Sequence, residues 1–408
     1  MDKLALSGGE PVRETPWPEW PFYQTDEEAR AVVDALRSDH LCSAHGGGAI
    51  AQFEADFAEW CGAVGAVTVN SGSSSLQVAL AAVGVGPGDE VIVPCYTYYS
   101  SATSVLVQGA IPVFADIDRE TANLDPVSFE SLITDRTKAV MPVHANGIPV
   151  DMDAVMAIAD AHGIQVVEDC SHAHGAVYKG QMVGTLGQAG AFSIQHKKIL
   201  SVGEGGVVVS RDPEVVARAR RFVNLGGGSS TGDLGPNLRM GELHGALALV
   251  RMQWVDEQND QRRENARMLA QAVAELPGLQ TVPEALPDGV NPTYYNFILD
   301  YKREEIGVDR ERFVEAVQAE GVPLRVNGYR PLNTMPVFAN QEAWPYKLSE
   351  NQPILEGRTL YGEGVCPVTE AFLSEGNLEL KIHPPCGEQE MTDAAGAMRK
   401  VLTQVGEL

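Results

Sequence analysis

Short runs rich in valine and isoleucine recur along the chain, each parted from the next by a stretch with helical spacing. This alternation limits the fold more than any other feature. The clearest runs are Glu90-Val91-Ile92-Val93, Ile111-Pro112-Val113-Phe114-Ala115-Asp116, Ala139-Val140-Met141-Pro142-Val143 and Ile164-Gln165-Val166-Val167-Glu168-Asp169. Strands this poor in polar residues are buried on both faces, which calls for a mostly parallel sheet covered by helices. Helical apolar spacing runs from Ala49 to Cys61 and from Ser73 to Val83. Gly190-Ala191-Phe192-Ser193-Ile194 and Gly206-Val207-Val208-Val209-Ser210 follow so closely that they read as an antiparallel hairpin or an edge. A long helical pattern from Arg239 to about Ala274 leads into a smaller second unit. The expected fold is α/β: a Pro- and Trp-rich arm over 1–30, a large domain over 31–260 and a small C-terminal α/β domain over 261–408.

Composition narrows the partners. Lys and Arg number 30 against 55 Asp and Glu, a net charge of −25. Nucleic acid and anionic membrane both need a basic surface, so neither is expected as a partner. A phosphate ligand is not excluded, because its site depends on local donors. Cys42, Cys61, Cys95, Cys170, Cys366 and Cys386 are scattered and form no CxxC pair, as in a cytosolic protein with reduced thiols. Met1-Asp2-Lys3-Leu4-Ala5 does not open a signal peptide, and no run approaches the ~18 apolar residues of a membrane span. The expected location is the cytoplasm.

Familiar motifs fail on inspection. His45-Gly46-Gly47-Gly48 has the look of an oxyanion-hole segment, but no Gly-x-Ser-x-Gly elbow accompanies it. Gly84-x-Gly86-x-Gly88 precedes a strand where a dinucleotide fingerprint would follow one. No Walker lysine is found, and the histidines lack metal-ligand spacing.

Three segments complement one another. Asn70-Ser71-Gly72-Ser73-Ser74-Ser75-Leu76 opens a helix, where free first-turn N–H groups and hydroxyls serve either as an ordinary cap or as a phosphate site. Glu168-Asp169-Cys170-Ser171-His172 ends a hydrophobic strand in an acidic pair. A carboxylate there needs a partner, and a protonated heterocycle nitrogen would serve; a helix cap or surface ion pair is the other reading. In Phe192-Ser193-Ile194-Gln195-His196-Lys197-Lys198-Ile199-Leu200, a lysine lies in apolar context about thirty residues beyond that carboxylate. Pyridoxal 5′-phosphate (PLP) needs an amine for its aldehyde, a carboxylate for its pyridinium and a cradle for its phosphate. Each segment offers one of these. Chemistry alone does not separate Lys197 from Lys198.

With these segments in this order, the chain resembles the PLP-dependent sugar and aminocyclitol aminotransferases of the DegT group, in the fold-type I superfamily. The likeness runs from Phe53-Glu54-Ala55-Asp56-Phe57 to Cys366-Pro367-Val368-Thr369-Glu370 and His383-Pro384. The resemblance implies that Lys198, by its spacing to Gly203-Glu204-Gly205-Gly206, binds the cofactor aldehyde. It implies that Asp169 pairs with the pyridine nitrogen and that His172 sits near the cofactor's 3-oxygen. Gly72, Ser73, Ser74 and Ser193 match phosphate contacts, and Tyr98 matches an aromatic that stacks on the ring. Asn237 matches an asparagine reaching the phosphate of a neighbouring subunit, which implies a homodimer with shared sites.

Gln195-His196 replaces the His-Pro pair of many nucleotide-sugar members. In that respect the chain is similar to the inosose aminotransferases and aminohydroxybenzoate synthases, as it is in Trp17-Pro18-Glu19-Trp20-Pro21 and Met141-Pro142-Val143-His144. Family dehydratases carry histidine at the lysine, so Lys198 favours transamination. The expected reaction moves an amino group from L-glutamine or L-glutamate to a keto-sugar or keto-cyclitol, with Arg325 or Arg330 receiving the donor carboxylate. The alternatives are a synthase that couples amination with dehydration and aromatisation, and a PLP-binding protein without turnover.

Overall fold

The computed structural model describes residues 3–20, 25–43, 46–228 and 233–408. Met1, Asp2, Pro21 and His45, named above, and residues 229–232 lie outside the described residues. Seven strands build the main sheet: β1 (Gly65–Val69), β2 (Glu90–Pro94), β3 (Ile111–Ala115), β4 (Thr137–Val140), β5 (Gln165–Asp169), β6 (Ala189–Ser193) and β7 (Gly206–Ser210). Their order is β1–β7–β6–β5–β4–β2–β3. The stretch β6–β5–β4–β2–β3 is parallel throughout, and β7 runs against both β6 and β1. The close spacing of β6 and β7 thus reflects an antiparallel pair, but β7 is not an edge, because β1 pairs on its far side. β1 is missing from the sequence expectation; it begins Gly65-Ala66, residue types depleted in strands.

Alternation along each strand feeds two cores. Ile92 points into one with Val140, Val166 and Phe192, whereas Val91 and Val93 point into the other with Met141 and Val167. Helix α1 (Gly48–Cys61) supplies Ile50, Phe53 and Phe57 to the first, at the three- and four-residue spacing of one helix face. Helix α2 (Gly72–Ala82) supplies Leu76, Val78 and Leu80 to the second.

The predicted Arg239–Ala274 helix is two helices, Glu242–Met252 and α3 (Val255–Val273). They part where Gln253 and Trp254 donate three residues back, to Val250 and Arg251, and tighten the last turn. Beyond α3 lies a small antiparallel sheet of β8 (Leu279–Val282), β9 (Phe297–Tyr301), β10 (Arg325–Val326) and β11 (Asn377–Leu380), in the order β8–β9–β11–β10. Helix α4 (Glu388–Thr403) and α3 pack in its core through Met398, Val401, Leu269 and Val273. The stretch 261–408 is not a single packing unit, however. Leu332, Phe338, Tyr361 and Cys366 return to the core of the main sheet, with Phe338 5.1 Å from Phe114 between ring centres.

The arm binds the small sheet. Leu4 is buried in its core, Ala5 and Val12 donate backbone N–H groups to Glu320, and Arg13 pairs with Glu390 and Asp393 at 2.9 and 2.7 Å. Among the described residues no helix is long and apolar enough to cross a membrane.

Phe57 is fully buried and packs on Phe53, Trp60 and Phe192 with ring centres 5.2–5.5 Å apart. Phe57→Ala should cost about 3–5 kcal/mol, measured by the urea unfolding midpoint. Val127→Ala, at a side chain 74% exposed, should change it by less than about 0.5 kcal/mol.

Candidate active site

In a parallel sheet, ligands bind where the carboxyl ends of the strands open. At that crest lies a cavity of about 430 Å3 whose walls include Gly72, Ser73, Tyr98, Asp169, His172, Ser193 and Lys198. The three segments, the first of them far from the other two in the chain, therefore meet in one place.

The pleat divides the acidic pair that ends β5. Glu168 turns into the protein and accepts the N–H groups of Gly184, Leu186 and Gly187 at 2.7–2.8 Å, with His144 Nε2 at 3.1 Å. It braces the strand. Asp169 turns to the cavity, where Ser101 Oγ donates to Oδ2 at 2.8 Å and the Ser171 N–H to Oδ1 at 3.1 Å. Asp169 is buried and forms no ion pair among the described residues. It is a carboxylate still able to accept from a charged donor.

Lys197 and Lys198 both line the cavity and differ in burial. Lys197 is exposed, while Lys198 is partly buried with Nζ 5.1 Å from the ring centre of Tyr295. Burial lowers the Lys198 ammonium to about 8, against the opposing pull of Asp169. His172 lies nearly parallel to Tyr295, ring centres 4.1 Å apart. Burial, with Lys198, Lys381 and His174 nearby, holds His172 well below the ordinary histidine range, so its imidazole is neutral. Its Nδ1 is buried with no hydrogen-bond partner.

The serine turn combines both readings left open by the sequence. Ser71 caps α2 by accepting the Ser74 N–H, and Ser74 Oγ donates to Asn70 Oδ1 at 2.7 Å. Ser74 thus belongs to the cap and is absent from the cavity wall. Gly72 and Ser73 face the cavity, and the first N–H groups of a helix are free to bind an anion. A Cβ at Gly72 would come 2.4 Å from Ser193 Cβ, so glycine is required for this close approach.

Three further expected residues are not on this wall. Asn237 is exposed and forms a bridge with Asn224. Arg325 is paired with Glu379, and Arg330 is exposed. Conversely, Thr97, Tyr295 and Tyr329 line the site but carry no sequence signal, because each comes from a loop whose path depends on the tertiary fold.

Competitive amine labelling of the apoprotein across pH should place the Lys198 midpoint near about 8. Because Asp169 raises that value, Asp169→Asn should move the midpoint lower. Gly72→Ala should weaken PLP binding to the apoprotein by at least about 10-fold, read from the visible absorbance on titration.

Comparison with known proteins agrees with this geometry. Residues 23–357 match the DegT/DnrJ/EryC1/StrS aminotransferase family. The L-glutamine:2-deoxy-scyllo-inosose aminotransferase of Streptoalloteichus tenebrarius is 35% identical over 99% of both chains. A crystallised aminotransferase from Psychrobacter cryohalolentis is 30% identical, with a TM-score of 0.83 over 96% of this chain and all of the other. The 3-amino-5-hydroxybenzoic acid synthase structure is 28% identical, with a TM-score of 0.81 over 95% and 99% of the two chains. The chain belongs to the DegT/DnrJ/EryC1/StrS aminotransferase family and is a PLP-dependent transaminase of fold type I.

Proposed function

We propose that this enzyme transfers the amino group of L-glutamine, or L-glutamate, to a ketone on a cyclitol or sugar ring. The observation that carries the reading is the presence of Lys198 and Asp169 in one cavity, beside the neutral His172 and the Gly72–Ser73 turn. The L-glutamine and inosose named for the Streptoalloteichus relative support the donor and acceptor classes.

The residues present fit PLP. Lys198 is the amine for its aldehyde, and Asp169 is an unpaired buried carboxylate for its ring nitrogen. His172 Nδ1 is an orphaned polar atom for its 3-oxygen. Gly72, Ser73 and Ser193 form a cradle in which an added Cβ at Gly72 would collide with Ser193, and Tyr98 is part of the cavity wall. When bound, PLP supplies an aldehyde carbon that takes up amino groups and a cationic ring that accepts electrons. Lys198, with its lowered proton affinity, removes the proton from the donor Cα and returns one to the acceptor carbon. Asp169 keeps the ring nitrogen protonated, since a nearby carboxylate favours the charged form. Ser101 and the Ser171 N–H hold Asp169 in place for that contact.

Asn237 is proposed to serve the site of a second copy. It is exposed, away from its own cavity, and flanked by Leu225 at 55% and Leu234 at 92% exposure. Apolar side chains so open to water favour a covering surface.

Lys198→Ala should abolish turnover and the visible band of the purified protein, whereas Lys197→Ala should keep both. If sites are shared, Lys198→Ala and Asn237→Asp chains should each be nearly inactive alone. Mixed and allowed to exchange, they should regain activity through hybrid dimers that contain one intact site; absence of recovery would refute sharing.

A further inference from the structure

A second cavity, of about 440 Å3, adjoins the first at Lys197 and Tyr295. The arm contributes Trp17 and Trp20 to it, and the small domain contributes Arg325, Lys381 and His383. Among the described residues no acidic side chain lines it, although the chain as a whole carries −25. Its cations are not equivalent. Arg325 is taken up by Glu379, to which Asn327 Nδ2 also donates at 2.8 Å. Lys381 has no carboxylate within ion-pair reach among the described residues; its ammonium donates to the Tyr295 carbonyl at 3.1 Å.

That ammonium also lies 3.6 Å from the Tyr295 ring centre. His172 is stacked on the same ring at 4.1 Å, and two groups this close cannot share one face. Lys381 therefore covers the face opposite His172, on the side of the second cavity. Lys198 Nζ is 5.1 Å from the same ring centre. The two ammonium groups are thus no farther apart than these two ring distances taken together. An α-amino acid carries amine and carboxylate on one carbon. That unit, with a hydrogen bond of about 3 Å at each end, is long enough to reach both groups where the two cavities adjoin at Lys197 and Tyr295.

Resting on the proposed transaminase reading, we infer that Lys381 is the group that receives the α-carboxylate of the amino donor. Burial, with Arg325, Lys198 and Arg262 nearby, lowers the proton affinity of Lys381 well below the ordinary lysine range, against the pull of Glu379. A carboxylate arriving from the cavity supplies the charge that this ammonium lacks. The assignment displaces both arginines first considered, since Arg325 is committed to Glu379 and Arg330 lines neither cavity.

The test uses the holoenzyme in single turnover, following loss of the visible band with L-glutamine and with L-glutaminol, which has the same amine but a hydroxymethyl in place of the carboxylate. Lys381→Met should raise the half-saturating L-glutamine concentration about 10- to 100-fold and leave the reaction with L-glutaminol unchanged. Lys381→Arg keeps the charge and should restore the preference for L-glutamine, a readout that a packing role would not produce. Equal losses with both donors in Lys381→Met, or unchanged L-glutamine saturation, would overturn the inference while the transaminase reading stands. A wild-type holoenzyme inert to both donors would overturn the donor reading, and this assignment with it.

Discussion

The site depends on a carboxylate held at the buried end of a central strand without a cation of its own. Asp169 accepts one hydroxyl and one backbone N–H, enough to fix its direction and too little to neutralise it. A buried charge in that state is costly unless a ligand compensates it. The parallel sheet makes the arrangement possible. Its strand ends open towards one crest, and Glu168, one residue earlier, anchors the strand from the opposite face through three N–H groups and His144.

Around that carboxylate, the small domain and the arm complete what the large sheet begins. Tyr295 precedes β9, and its ring is bounded by His172 on one face and Lys381 on the other, with Lys198 nearby. Tyr96, just beyond β2, accepts hydrogen bonds from Asn146, Asn327 and Asn377 and so ties the crest of the main sheet to the small one. Trp20 stacks on His383 at 3.9 Å, and Trp17 donates to the Lys381 carbonyl at 3.3 Å. The arm is thereby part of the wall beside the site.

The residues legible in the chain were those whose type and position along a strand or helix jointly demand explanation. Asp169 at the end of an apolar run, a lysine in apolar context and a serine turn opening a helix are all local patterns. Family resemblance points to Lys198 over Lys197; both line the cavity, Lys197 exposed and Lys198 partly buried. Ser74 was misassigned to the cavity because a cap and an anion site share one composition; only its bond to Asn70 separates them. Tyr295, Tyr329 and Lys381 had no local pattern at all, since a loop tyrosine or a lysine after a strand is unremarkable until something packs on it.

By itself, the sequence determined the α/β alternation, the mostly parallel character of the sheet and the chemical types gathered in the three segments. These follow from periodicity and side-chain chemistry, both carried by neighbours in the chain. Tertiary structure decided that β7 lies inside the sheet, that residues around 332–366 rejoin the first core, and that Lys381 beside Tyr295 has no ion-pair partner among the described residues. Those outcomes depend on contacts between segments far apart in sequence, and a pairing across such distances leaves no periodic trace in either partner.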